Sequence, residues 1–414
     1  MRRWLIAGGV VALLVAAGVA AYVVHRERQL GDVRGSATVE YSTGTGTTVG
    51  VVPGVQWPMY GFGAARTRAV RSPLRPPFRK VWTYHAGSLV EFPPGIGYGR
   101  LYLATNSGKV AAVNVKTGKR AWKWLSHRCV AASPAVGAFG SLFMSFLNKP
   151  PCNRKQGAKG IDGEVIRFAV GLGHRIWTRR IGPSESSPLL VKGKVYVGDW
   201  NGDVWDLEGH DGHVVWKRHV GGAVKGGIAY AKGRLYFGSY DGHVYCLSAS
   251  TGRLIWRASA QGTLLHGGRF YATPAVAHGR VYVGATDGRL YSFGARTGKL
   301  RWSHGTGGYV YSSAAVWRNL VFVGSYSHRF FAFDAATGER RWSFKANGPI
   351  SGSPTVVGDV VYFATLKQRT YALAARTGRK LWTFPDGKYS PVVAAGGRLF
   401  LVGYGLVYGM APRR

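Results

Sequence analysis

Carboxylate side chains are the first candidates for chemistry in this chain, because they can bind metal ions or transfer protons. Asp199, Asp203, Asp206 and Glu208 lie close together, but the alternation of side chains along a strand would point them to different faces. A calcium site needs about six to eight oxygen ligands that converge on one point. No Ser-His-Asp order, phosphate-binding loop or HExxH motif occurs. We therefore predict no catalytic residues, no metal site and no cofactor.

Basic residues give the strongest indication of a partner. The chain has 55 Lys and Arg against 18 Asp and Glu, which is a formal net charge of +37. A field of this sign attracts polyanions. Part of the excess is explained by outer strands, where charge discourages edge pairing. An anionic envelope polymer or acidic glycopolymer is the favoured polyanion, and nucleic acid is less favoured.

Aromatic residues in turn sequences are a second candidate for binding. They are Trp200, Tyr240, Tyr326, His328 and Tyr404. Rings of this kind stack on sugars or bases. Tyr beside Gly is also a common hairpin-turn sequence, so a purely structural role stays open.

The elements that position these residues follow from one repeated unit. Residues 320–342, LVFVGSYSHRFFAFDAATGERRW, read as short strands separated by turns, ending in an outer strand around Trp342. Degenerate copies follow a Trp that recurs at intervals of 40, 55, 39, 40, 46, 40 and 40 residues. These tryptophans are Trp82, Trp122, Trp177, Trp216, Trp256, Trp302, Trp342 and Trp382. A period of about 40 residues with four strands is typical of a propeller blade.

The two ends of the repeat region predict how the ring closes. After Trp382 the chain supplies three more strands and no Trp strand, whereas residues 78–84, FRKVWTY, have the missing strand's pattern. We predict an all-β, eight-bladed propeller of four-stranded antiparallel blades over residues 78–414, with residues 78–84 closing blade eight. Closure of this kind removes two exposed sheet edges. We expect the propeller to be a monomer.

The predicted blades assign the turns to two faces. Turns between the first and second strands, and between the third and fourth, lie on what we call the basic face. It carries Lys192, Lys194, Lys232 and Arg234, our candidates for binding a polyanion. The opposite, aromatic face carries the five aromatic residues above and two long insertions, residues 147–163 and 258–270. Insertions in repeat proteins tend to gather on the binding face.

The N-terminal region predicts a membrane anchor. Residues 4–24 are apolar and uncharged, which is long enough for a transmembrane helix. A cleaved signal peptide is the alternative. We assign residues 1–30 to the anchor and residues 31–77, rich in Gly, Thr and Pro, to a flexible linker.

The three cysteines leave two interpretations open. Cys129 and Cys152 fall in the same blade, where a disulfide would restrain the long insertion and suit an oxidising compartment. Alternatively, these residues and Cys246 are three buried thiols. No cysteine spacing indicates a metal site.

Residues 333–342, FDAATGERRW, resemble the A-x-D-x-x-T-G-x-x-W motif of pyrroloquinoline-quinone-type propellers, apart from the start of the motif. The resemblance extends from Trp57 to the C-terminus. It implies that each Trp packs against the neighbouring blade and that Thr and Asp hydrogen bond across the seam. Thr recurs at positions 117, 251, 297, 337 and 377.

Within that family the chain is similar to two groups with different functions. Quinone-dependent dehydrogenases bind calcium and often have a disulfide between adjacent cysteines, but this chain has no Cys-Cys pair. Propeller factors of the outer-membrane assembly machinery are lipoproteins, whereas the first cysteine here is Cys129. We predict a non-catalytic, membrane-anchored, extracytoplasmic scaffold of a bacterial envelope that binds proteins or polymers. The alternatives are a quinone-dependent dehydrogenase and a binder of acidic glycopolymer or nucleic acid.

Overall fold

The computed structural model describes residues 14–23, 31–43, 52–152, 162–263, 267–389 and 392–413. Residues 14–23 form one short helix, α1, whose side chains are mostly exposed. Within the described ranges, no helix is long and apolar enough to cross a membrane. The predicted transmembrane helix over residues 4–24 is therefore not supported, and the remainder of that stretch lies outside the described residues.

Eight antiparallel four-stranded sheets form the ring, which confirms the predicted all-β, eight-bladed propeller. Two short strands, β1 (Val55–Trp57) and β2 (Ala69–Val70), precede them, and β3 (Phe78–His85) belongs to blade 8. Blade 1 contains β4 (Gly95–Gly97), β5 (Arg100–Ala104), β6 (Lys109–Asn114) and β7 (Arg120–Leu125). Blade 2 contains β8 (Ala135–Gly137), β9 (Ser141–Phe146), β10 (Gly163–Ala169) and β11 (Arg175–Ile181). Blade 3 contains β12 (Leu189–Val191), β13 (Lys194–Gly198), β14 (Asp203–Glu208) and β15 (Val214–His219).

The other blades repeat this order. Blade 4 contains β16 (Ala229–Ala231), β17 (Arg234–Gly238), β18 (His243–Ser248) and β19 (Leu254–Ser259). Blade 5 contains β20 (Ala275–Ala277), β21 (Arg280–Gly284), β22 (Arg289–Gly294) and β23 (Leu300–Gly305), and blade 6 contains β24 (Ala315–Trp317), β25 (Leu320–Gly324), β26 (Arg329–Asp334) and β27 (Arg340–Lys345). Blade 7 contains β28 (Thr355–Val357), β29 (Val360–Thr365), β30 (Arg369–Ala374) and β31 (Lys380–Phe384), and blade 8 contains β32 (Val392–Ala395), β33 (Arg398–Val402) and β34 (Leu406–Pro412) together with β3.

The hydrophobic core is divided among the seams between neighbouring blades. In one seam, Tyr102 and Val110 of blade 1 pack with Leu142 and Met144 of blade 2. A middle strand such as β9 is buried on both faces, which explains its nearly continuous apolar sequence, SLFMSF. The outer strands are largely exposed and therefore carry most of the charged residues of each repeat.

Strand β3 closes the ring as predicted from the sequence. It pairs antiparallel with β34, from Phe78 opposite Pro412 to His85 opposite Leu406. Trp82 of β3 donates its indole N–H to the carbonyl of Val115 in blade 1, at 3.2 Å. The first and last strands of the propeller are thus joined within one blade, which also packs against blade 1.

The seams are hydrogen bonded by the recurring tryptophans. In seven of the eight tryptophans, the indole N–H donates to a backbone carbonyl of the next blade, with N···O distances of 2.9–3.2 Å. These residues are Trp82, Trp122, Trp177, Trp216, Trp256, Trp302 and Trp342. A glycine of that blade lies against each ring; a Cβ at Gly338, whose φ is 75°, would be 2.7 Å from Trp302. Trp382 instead meets Phe78 edge-on, because blade 8 is closed by chain ends and has no turn between its third and fourth strands.

The threonines of the motif were expected to hydrogen bond across the seam, but they bond within their own turns. Thr337 Oγ1 accepts from the backbone N–H of Glu339 at 3.3 Å and donates to Asp334 at 3.2 Å, all within one turn. The threonines at 117, 251, 297 and 377 accept the same local bond. They therefore shape the turn that presents the glycine to the tryptophan.

The predicted flexible linker is ordered against the propeller wherever it is described. Residues 32–42, which we call the strap, run along the outer strand of blade 5. Val33 forms a bridge with Ser303, Glu40 accepts a hydrogen bond from Thr297 at 2.7 Å, and Tyr41 stacks on His278 at 5.1 Å. An extended Gly- and Thr-rich chain can lie along a sheet edge, a possibility that composition alone does not reveal.

Candidate binding sites on the two faces of the ring

The central channel is closed near the basic face by the chain's own residues 57–68, which we call the plug. Backbone N–H groups of five inner strands donate to plug carbonyls at 2.6–2.9 Å; the donors are Val136, Tyr230, Val276, Val316 and Val356. Trp57 at the start of the plug is 1% exposed. One segment assigned to a linker by sequence thus joins blades 2, 4, 5, 6 and 7.

A buried arginine fastens the plug. Arg66 is fully buried and donates to the carbonyls of Tyr60, Ile228, Ser187 and Pro188. Burial, with the nearby charge of Arg68, lowers the pKa of Arg66 to about 9, so the guanidinium stays protonated at neutral pH. Carbonyl dipoles therefore stabilise this charge inside the ring.

On the aromatic face the channel opens into a mouth lined by one position of each repeat. The residue four before each inner strand occupies this position: Glu91, Ala131, Glu185, Lys225, Tyr271, Tyr311, Ser351 and Lys388. Most of them line a cavity whose floor is Tyr60 and whose volume is about 50 Å³. The repeat thus brings eight residues that are distant in sequence to one site.

Two of the mouth residues are carboxylic acids. Glu185 accepts hydrogen bonds from Lys225 at 3.3 Å and from the Tyr271 hydroxyl at 3.0 Å. Burial, and then the charge of Glu185, raise the pKa of Glu91 to about 7, while Lys388 opposes the shift. The charge of the mouth consequently changes near neutral pH.

Below the mouth, the small hydroxyl residues that precede most of the inner strands link neighbouring blades. Backbone N–H groups of Thr273 and Ser313 donate to the hydroxyls of Ser313 and Ser353 in the next blade, both at 2.9 Å. The Tyr60 hydroxyl bonds Ser353 at 2.9 Å and Ser313 at 3.3 Å. The plug, the blades and the floor of the mouth form one hydrogen-bonded layer.

Tyrosines dominate one side of the aromatic face. Their ring centroids lie 5.2–6.3 Å apart in a cluster of Tyr240, Tyr271, Tyr309, Tyr311 and Tyr326. Two of the five residues predicted for this face, Tyr240 and Tyr326, therefore contact tyrosines of the mouth. His328 and Tyr404 are exposed.

Trp200 was predicted to contact a partner on the aromatic face, but its side chain is buried. It is 5% exposed, and the Lys225 ammonium lies 4.0 Å from its ring centroid. Trp200 therefore supports the mouth from beneath. Sequence reasoning missed Glu91, Glu185, Lys225, Tyr271 and Tyr311. Aligning the repeats on the recurring Trp would have identified this position in most of the blades. In five of them it follows that Trp by nine residues.

The insertion of blade 2 is held at its base. Cys129 and Cys152 form a disulfide with a Cα–Cα distance of 5.5 Å, and Cys246 is buried as a free thiol. Arg128 pairs with Asp162 at 3.1 Å and Glu164 at 3.2 Å. The tip of this insertion, like the middle of the one over residues 258–270, lies outside the described residues.

On the basic face the first turn of every blade contains a residue in the left-handed region. These residues are Tyr98, Phe139, Lys192, Lys232, His278, Arg318, Gly358 and Gly396, with φ of 48–65°. Lys192 and Lys232 are exposed tips. Lys194 instead pairs with Glu208, and Arg234 donates to the carbonyl of Arg296 at 3.0 Å. Of the four residues predicted to bind a polyanion, Lys192 and Lys232 therefore project from their turns, whereas Lys194 and Arg234 are engaged by neighbouring groups.

The acidic stretch of blade 3 is structural. Asp199 accepts bonds from its own turn and from the Trp205 indole at 2.8 Å, whereas Asp203 pairs with Lys217 at 2.7 Å. The part of the chain that the structure describes has no group of three or more His, Cys, Asp and Glu placed to hold a metal.

A quinone cofactor with its cation does not fit the residues of the channel. A cofactor-sized ligand occupies a pocket of roughly 300 Å³ or more. The mouth is far smaller, and Tyr60 and the plug occupy the axis below it.

An eight-bladed, tryptophan-docked propeller with a plugged channel defines the class of protein. A family model described as "Outer membrane protein assembly factor BamB" matches residues 201–314 and 305–410, which together are just over half of the chain. The chain belongs to this family of pyrroloquinoline-quinone-like propellers. No curated protein sequence matches it.

Solved structures agree on the fold. BamB from Moraxella catarrhalis is 17% identical with a TM-score of 0.65, and the match covers 82% of this chain and 99% of that one. The quinohemoprotein alcohol dehydrogenase of Comamonas testosteroni is 15% identical with a TM-score of 0.71, covering 86% and 81%. A europium-containing methanol dehydrogenase is 15% identical with a TM-score of 0.70, covering 87% and 98%. At these identities the likeness concerns the fold.

Proposed function

We propose that this protein is a non-catalytic scaffold of a bacterial envelope whose aromatic face binds a segment of a partner protein at the channel mouth. The observation that carries the proposal is the asymmetry of the channel. The plug fills one end, whereas the other end presents a ring of acidic, basic and tyrosine side chains. The seams are already held by tryptophans and hydroxyls, so the rings of the mouth are available for a partner.

The family supports an envelope location and a protein partner, since its model is described as an assembly factor of the outer membrane. The Cys129–Cys152 disulfide fits an oxidising compartment. Anchoring through residues 4–24 is part of the proposal, motivated by their apolar sequence. A dehydrogenase function is the weaker alternative, because the channel residues do not suit the cofactor.

The test is site-specific photocrosslinking in cells. A photoreactive amino acid at Tyr309 or Tyr404, exposed by 54% and 44% on the aromatic face, should capture one discrete partner. The same partner should be lost when Tyr311→Ala and Glu185→Gln alter the mouth. A probe at Leu254, exposed by 36% on an outer strand, is the matched control and should not capture it. Equal capture at Leu254, or capture that is unaffected by the mouth variants, contradicts the proposal.

A polyanion-binding role for the basic face is a second candidate. The observation in its favour is that Lys192 and Lys232 occupy turn positions where a side chain is sterically costly. Binding should weaken steeply as salt rises.

A further inference from the structure

The turn tips of the basic face combine charge with exposed apolar side chains. Phe139, at the tip of the first turn of blade 2, is 98% exposed, and Leu172, in the turn between β10 and β11, is 81% exposed. The two turns are adjacent, since Val170 donates its N–H to the carbonyl of Gly140 at 2.9 Å. Lys192 and Lys232 are the equivalent tips of the next two blades.

The exposed side chains are presented by rigid turns. The Tyr98 hydroxyl donates to the carbonyl of Gly137 at 2.9 Å and accepts from Gly140 N–H at 3.0 Å. Arg100 donates to the carbonyls of Val170 and Gly171 at 2.7 and 2.6 Å. Both turns are thus hydrogen bonded to blade 1, and Phe139 and Leu172 extend outward from a fixed base.

The turns that carry these tips share one backbone conformation, which recurs in the first turn of every blade. A left-handed first position strongly favours Gly, Asn or Asp, and blades 7 and 8 have Gly there. Phe139, Lys192, Lys232 and Arg318 adopt the same conformation despite its steric cost. Tyr98 and His278 adopt it too and hydrogen bond to neighbouring turns through their side chains, whereas Phe139, Lys192 and Lys232 are exposed.

We propose that this rim, formed by Phe139, Leu172, Lys192 and Lys232, docks on the surface of an anionic lipid bilayer. The two apolar side chains enter the boundary between headgroups and acyl chains, and the lysines contact lipid headgroups. Basic side chains that flank exposed Phe and Leu are typical of peripheral membrane contacts. A soluble polyanion would account for the lysines, but it offers no apolar phase for Phe139 and Leu172.

This inference does not rest on the proposed function of the mouth. It also differs from anchoring through the N-terminus. The strap begins at the opposite face, where Asp32 accepts from Arg289 at 2.9 Å and from Gly305 N–H at 2.8 Å. Vesicle binding alone therefore does not distinguish the two contacts, and the face that touches lipid must be measured.

The experiment places an environment-sensitive fluorophore on a single introduced thiol in the full chain. Of the three native cysteines, two are disulfide bonded and one is buried, so Phe139→Cys supplies the accessible thiol. Tyr309→Cys, on the aromatic face, is the matched control. With vesicles of phosphatidylcholine and phosphatidylglycerol, the probe at 139 should shift to the blue and be quenched by lipid-attached quenchers, whereas the probe at 309 should not.

Unlabelled variants give a second measurement. Phe139→Asn with Leu172→Ser keeps residues that suit the turns and should lower the partition onto anionic vesicles roughly tenfold, with the melting temperature unchanged. Tyr309→Asn is the control. A probe at 139 that stays in water on vesicle-bound protein overturns the proposal. The proposal is also overturned if the protein binds DNA or polyphosphate through Lys192 and Lys232 while vesicles leave the fluorescence of the probe at 139 unchanged. The rim is then a polyanion site.

Discussion

Replacing Glu91 by Gln should stabilise the protein progressively as pH rises. Burial and the charge of Glu185 raise the pKa of Glu91 from 4.5 to about 7. Between those values the folded state keeps a proton that the unfolded state has released. The wild-type protein therefore loses stability as pH rises through this interval, and the loss is fully present above pH 7. A glutamine side chain has no proton to release, so Glu91→Gln should escape the loss.

The magnitude follows from the size of the shift. Each pKa unit corresponds to about 1.4 kcal/mol, so the contribution is roughly 1 kcal/mol at pH 5 and roughly 3 kcal/mol at pH 8. The advantage of Glu91→Gln should thus grow by about 2 kcal/mol between the two pH values. In a chain of this length, that difference corresponds to a melting temperature change of roughly 2–3 °C.

Thermal denaturation of the two proteins from pH 5 to pH 8 is the assay. Glu339→Gln is the matched control, because the Glu339 side chain is 65% exposed on an outer turn. Its effect should stay within about 0.5 kcal/mol at every pH. In a Glu185→Gln background, the stability that Glu91→Gln gains as pH rises should be smaller, because the charge of Glu185 no longer raises the pKa of Glu91. A constant difference between Glu91→Gln and wild type across this range would refute the reasoning.

Three further predictions concern the seams, the plug and the basic face. Gly338→Ala should lower the free energy of unfolding, measured in urea, by about 2 kcal/mol more than Gly233→Ala. Both glycines have positive φ, but only at Gly338 would the added Cβ lie 2.7 Å from a neighbouring ring. Equal losses of stability would argue against packing of the tryptophan on this glycine. Deleting residues 1–77 should lower the melting temperature and expose apolar surface to a fluorescent dye, since inner-strand N–H groups lose their plug acceptors; an unchanged melting temperature would show that the plug is dispensable. Reversing Lys192 and Lys232 to Glu should weaken binding to anionic vesicles and flatten its salt dependence with the fold intact, whereas unchanged affinity would mean that these tips do not bind anions.

Ring closure shows what local pattern can predict. Residues 78–84 match the outer-strand pattern of the repeat, and they pair with β34 to complete blade 8. The positions of the docking tryptophans follow from the same period. These features depend on hydrophobic patterning and spacing, which are properties of the linear chain.

The plug could not be predicted in this way. Residues 57–68 lack the blade period, and their carbonyl groups accept from backbone N–H groups that any inner strand offers. Backbone hydrogen bonding carries no side-chain signature. The strap was missed because its partners, such as Thr297 and His278, lie more than 230 residues away along the chain, so a Gly-, Thr- and Pro-rich stretch looked like a linker.

The sequence by itself determined the repeat, the number of blades, the closing strand and the excess of positive charge. Only the tertiary structure decided which charges are free, as Lys194 and Arg234 are engaged by neighbouring groups whereas Lys192 and Lys232 project from their turns. It also decided the mouth, where Glu91 and Glu185 come from different blades and meet because the ring closes. Spacing along the chain specifies each blade, but closure of the ring sets the distances between blades and hence the site.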